Sequence, residues 1–72
     1  MIAETFEILV RGELSPMIIA ELQGFEVVTR QAGSTRLRGC VPDQSRLVGV
    51  LELLRGFNIE IESVKHVTAQ SD

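Results

Sequence analysis

The sequence predicts an α+β sandwich in which a four-stranded antiparallel sheet, order 4-1-3-2, carries two helices on one face. Three observations predict it. First, the chain nearly repeats itself. Val10-Arg11-Gly12 opens one half and Leu37-Arg38-Gly39 the other, and each is followed by an apolar run that closes on Gly-Phe, at Gly24-Phe25 and Gly56-Phe57. Two copies are too few for a solenoid and suit two βαβ units folded together. Second, Phe6, Ile8 and Val10 alternate with Glu7, Leu9 and Arg11, the period of a half-buried strand, whereas Leu47, Val50, Leu51 and Leu54 recur at helical spacing. Third, 72 residues with 44% hydrophobic and 24% charged content make one ordinary small globular domain, 1–72, rather than a disordered chain.

The elements follow in order. The first strand is centred on 6–11. Ser15-Pro16 reads as a helix cap with proline at the first helical position, and Leu14 and Ile19 are spaced for a hydrophobic staple. A short helix over 16–23 then turns Ile18, Ile19 and Leu22 to the core. Gly24 ends it, and Phe25 folds back on its last turn. A second strand over 26–31 meets a third over 35–41 through the Ala32-Gly33-Ser34 turn. Asp43 caps the second helix, which Gly56 ends, with Phe57 repeating the part of Phe25. The last strand runs from Ile59 to Val67 with Ile59 and Ile61 inward, and 68–72 is expected to fray. Right-handed crossovers then give a βαββαβ, ferredoxin-like sandwich.

Composition excludes several functions. One Cys cannot form an internal disulfide, and one Cys with one His is too few for a zinc site, so no metal and no cofactor is expected. A net charge of -3 gives no general attraction for phosphate backbones. All three Phe residues are used in the core or at helix ends, so no aromatic platform is left to stack bases, and no nucleic acid partner is expected. The apolar runs are far too short to span a membrane. Met1-Ile2-Ala3-Glu4 lacks a basic stretch followed by an apolar core, which with the lone Cys gives a cytoplasmic expectation.

The sheet face away from the helices is expected to carry Glu7, Leu9 and Arg11 from strand one, Arg36, Arg38 and Cys40 from strand three, and Glu60, Glu62, Val64 and His66 from strand four. It reads either as a solvated, charge-balanced face or as a binding platform, with Leu9, Cys40 and Val64 as a small apolar strip. The loop Arg11, Gly12, Glu13 leads to a helix start and is the candidate ligand site for a small anion. Strand two, with Val27, Val28 and Thr29, is the candidate dimer edge. Gly49 and Leu53 share one side of helix two and are either close packing within the subunit or a helix-to-helix contact between subunits. Cys40 and His66 have no visible catalytic partners, so no enzyme is expected.

The run Leu47 to Glu60, ending Leu54-Arg55-Gly56-Phe57-Asn58-Ile59-Glu60 and followed by Ile61-Glu62-Ser63-Val64, resembles the ACT domain of amino-acid biosynthesis regulators. The resemblance implies the same βαββαβ fold, a regulatory role, pairing through sheets or helices, and an amino-acid-like ligand at an interface. The expected function is therefore a non-catalytic regulatory or protein-interaction domain acting as a homodimer. Its alternatives are a ligand-free assembly partner of a larger enzyme or complex, and a small dimeric ferredoxin-like enzyme.

Overall fold

A computed structural model describes residues 3–31 and 33–68. Strand β1 (Glu4–Arg11), helix α1 (Pro16–Glu21), strands β2 (Phe25–Gln31) and β3 (Ser34–Val41), helix α2 (Gln44–Gly56) and strand β4 (Ile61–Val67) follow one another. The strands form one antiparallel sheet in the order β2-β3-β1-β4, which counted from the other edge is 4-1-3-2. Of the tail expected to fray, only Thr68 lies within the described residues. Ala32 of the expected turn lies outside them.

Alternation decides which sheet face is buried. Ile8 pairs with Leu37 and Val10 with Thr35, so even positions of β1 and odd positions of β3 share one face. Ile8, Val10, Phe25, Leu37 and Val41 from that face close on Leu14, Leu22, Val50 and Leu54 from the helix layer. Each such side chain contributes about 1.5–3 kcal/mol when taken fully out of water. Thr35 is buried among them and donates its hydroxyl hydrogen bond to the Gly12 carbonyl at 2.6 Å. The Gly12 N–H donates in turn to the Gly33 carbonyl at 2.6 Å, tying the β1–α1 loop to the β2–β3 turn.

Both helix starts are capped as their sequences dictate. Ser15 Oγ accepts from the Ile18 N–H, with Pro16 opening α1, and Asp43 accepts from the Arg46 N–H at 2.9 Å. Helix α1 stops at Glu21, two residues short of the expected span, and Gly24 takes the left-handed turn at φ +89°.

The end of α2 departs from expectation. Gly56 is still helical, and the left-handed residue is Asn58, at φ 61°. The Asn58 N–H bonds the Arg55 carbonyl and the Ile59 N–H bonds the Leu54 carbonyl, the paired bonds of a Schellman ending. Asn tolerates this conformation better than other side-chain-bearing residues, which lets the helix keep Gly56 as its last residue and make its left-handed turn two residues later. Phe57 consequently does not repeat Phe25: it is 45% exposed, whereas Phe25 is 7% exposed.

Strand β4 departs as well. It begins at Ile61 rather than Ile59, and its pairing with β1 steps from Leu9–Ser63 to Val10–Ile61, leaving Glu62 as an extra residue. A bulge of one residue inverts the facing of everything beyond it. Val64 pairs with Ile8 and His66 with Phe6, so both lie on the helix side, while Ser63, Lys65 and Val67 take the open face. The expected strip of Leu9, Cys40 and Val64 therefore does not form.

Candidate functional site

Helices cover one face of the sheet only, and the side chains of the other face fall into rows that run across the strands. Glu26 of β2 is paired with Arg38 of β3, Arg38 with Glu7 of β1, and Glu7 with Lys65 of β4. Acid, base, acid and base thus stand side by side over about 14 Å, four strands at the usual spacing. The next row holds Thr29, Arg36, Leu9 and Ser63, and the one beyond it Gln31, Ser34 and Arg11.

Glu7 organises the centre. Its carboxylate accepts hydrogen bonds from Nε and Nη2 of Arg38 and lies 3.5 Å from the Arg36 guanidinium. These side chains leave the Glu7 side chain only 12% exposed on a face that no helix covers. The hydrogen bond from Arg38 holds the Glu7 carboxyl below its ordinary value of 4.5, partly opposed by loss of hydration and helped by the charges of Arg38, Arg36 and Lys65. Exposed cross-strand pairs of this kind add little to stability, so their larger effect is to fix where each charge stands.

A second charge cluster ends the sheet. Arg11 Nε lies 3.5 Å from Glu60 and 3.4 Å from Glu62, and Ser34 Oγ donates to Glu62 at 3.2 Å. Both glutamates reach Arg11 because the bulge turns Glu62 to the same side as Ser63. The helix layer carries an open groove of about 490 Å³, floored by Gly49, Val50 and Leu53 and rimmed by Glu21, Asp43 and Arg46.

A family model covers most of the chain, residues 5–65, and is described as a domain of unknown function, DUF8691. The chain belongs to that family. No curated protein and no solved structure matches it. The DUF8691 stretch contains every member of the charged row, from Glu7 to Lys65.

Within this DUF8691 domain the residues singled out from sequence are dispersed. Arg11 is held by two carboxylates, Gly12 is bound into the backbone at φ +89°, and exposed Glu13 follows it. Val27, Val28 and Thr29 do lie on the edge strand, but the β2–β3 pairing steps from Val27–Leu37 to Thr29–Arg36, leaving Val28 as the extra residue of a second bulge. Such a kink blunts an edge against strand addition. Gly49 and Leu53 come together, in the groove. Cys40 is free and exposed on the open face, whereas His66 stands on the helix side, its ring 5.1 Å from that of Phe6 and tilted by 46°. The sheet separates the thiol from the imidazole. Among the described residues no helix is long and apolar enough to cross a membrane, and no three metal-ligating side chains converge.

Lys65 escaped the sequence reading, and Glu26 entered it only as the first residue of the second strand. Nothing in the local pattern announces the bulge at Glu62 that brings Lys65 to the open face.

Proposed function

We propose that this is a ferredoxin-like, ACT-like interaction and regulatory domain, not an enzyme, that works as a homodimer. One observation carries the reading: the sheet face that the helices leave uncovered bears an ordered array of charges gathered about a nearly enclosed Glu7. The separation of Cys40 from His66 supports a binding role over a nucleophilic one. The small anionic or amino-acid-like ligand is not part of this reading, because Arg11 is already compensated by Glu60 and Glu62.

A second reading, an assembly partner of a larger complex, is favoured by Met17, Val48 and Phe57, which the helix layer leaves exposed. Native mass spectrometry and sedimentation of the whole chain separate the two. A dimer without an added mass is expected. A monomer at every concentration overturns the homodimer and leaves the assembly reading.

A further inference from the structure

Pairing of opposite charges between neighbouring strands gives the charged row a further property. Across the strands it runs Glu26, Arg38, Glu7, Lys65. Reversed end to end, the row becomes base, acid, base, acid, so every position is answered by its opposite. A second copy, turned over by a two-fold axis lying parallel to the strands between β3 and β1, meets the first in that reversed order. Resting on the homodimer reading above, we propose that the open sheet face is the dimer interface, and that two copies of this chain pair through it about such an axis.

In that arrangement Arg38 lies over Glu7 of the partner subunit, and Glu26 over Lys65 of the partner subunit, each contact made twice by symmetry. The adjoining rows raise no conflict. Arg36 lies over Leu9 of the partner subunit, where its methylene stem can cover the leucine while the guanidinium stays on Glu7 of its own chain. Thr29 meets Ser63 of the partner subunit, and Ser34 meets Arg11 of the partner subunit. The other way to stack the faces, with the axis lying along the row, sets Glu7 on Glu7 and Arg38 on Arg38. A like-charge apposition of that sort is strongly disfavoured. Charge complementarity therefore selects the partner, a second copy, and also its orientation. Two sheets packed face to face adopt a crossing near 30°, which keeps the central Arg38 and Glu7 contacts in register.

The experiment measures the dimer dissociation constant by sedimentation for the wild type, for Glu26→Lys, for Lys65→Glu, for an equal mixture of the two, and for the double variant. Both positions are exposed, and thermal melts of each variant report whether it folds. Each single reversal sets like charges against each other twice and is expected to weaken the homodimer by roughly tenfold or more. The mixture and the double variant each recreate two opposite-charge contacts and are expected to return to within about threefold of the wild type. A wild-type dimer indifferent to both single reversals overturns the proposed face while leaving the homodimer standing. Weakened single variants that are not rescued by mixing overturn the pairing of Glu26 with Lys65. A wild type that stays monomeric overturns both this proposal and the homodimer reading.

Discussion

Gly39 is the residue at which the fold has least latitude. A Cβ there would lie 2.5 Å from the Gly24 carbonyl oxygen and 2.5 Å from the Phe25 ring, so the missing side chain is what lets the ring lie on β3. The Gly24 backbone cannot retreat freely, because the left-handed turn after α1 holds it. Gly39→Ala is expected to destabilise by about 1–3 kcal/mol, the ordinary cost of overpacking, read as a shift in the urea midpoint. Glu7 makes a different prediction. Its folded carboxyl is held below the ordinary 4.5, so its contribution to stability is fully present above that pH and is lost as pH falls through the folded value. Glu7→Gln removes a titrating group with that property. Its stability should therefore fall less steeply than the wild type's as the solution is acidified from the ordinary value downward, as followed by urea titrations at successive pH values. Parallel curves for the two proteins would show that the Arg38 pair is not linked to folding.

At the scale of elements, α2 carries two glycines that its own packing does not need. Neither Gly49 nor Gly56 would bring a Cβ within 4 Å of other atoms, and neither has positive φ. Alanine at either site should stabilise the helix by roughly 0.5–1 kcal/mol. Gly49→Ala also bears on assembly. If the dimer forms through the sheet face, the variant melts higher and its dissociation constant is unchanged, whereas a dimer formed through the α2 groove is weakened. The same elements show what was legible beforehand. Ser15-Pro16 and Asp43 marked helix starts because capping is a local chemistry written in adjacent residues, and the two- and 3.6-residue periods of β1 and α2 fixed which side chains are buried. Asn58 was missed because a glycine two residues earlier offered a simpler ending. The facing of Lys65, Val64 and His66 was missed because one bulge at Glu62 reverses the alternation, and a bulge arises from the pairing of distant strands. The charged row was therefore half legible: Glu7, Arg36 and Arg38 belong to strands that keep their period, while Lys65 required the three-dimensional register.

The dimensions of the whole molecule bear on the proposed pairing. The chain measures 32 × 26 × 19 Å. The open face is four strands, about 14 Å, wide and as long as the eight residues of β1, about 26 Å, which is below the about 800 Å² per partner of a standard interface and places the proposed pair among the weaker ones. Two opposing electrostatic effects then act on the dimer. Each chain carries a net charge of -3. With the sheets about 10 Å apart and each centre about 5 Å behind its sheet, the centres lie about 20 Å apart, and the two net charges repel by about 2 kcal/mol in water without salt and by only about 0.3 kcal/mol once the Debye length is about 10 Å at 0.1 M. The contacts of Arg38 with Glu7 and of Glu26 with Lys65 act within a few ångströms, so they outlast that repulsion as salt is added and weaken only at higher concentration. The dissociation constant should therefore pass through a minimum near about 0.1 M salt and rise by several-fold toward about 1 M. A dimer held by the apolar floor of the α2 groove would instead tighten over the same range, since salt removes the repulsion and the floor of Gly49, Val50 and Leu53 carries no charge to be screened. Sedimentation across a salt series distinguishes a minimum from a monotonic fall, and so reports whether opposed charges or buried apolar surface holds the two chains together.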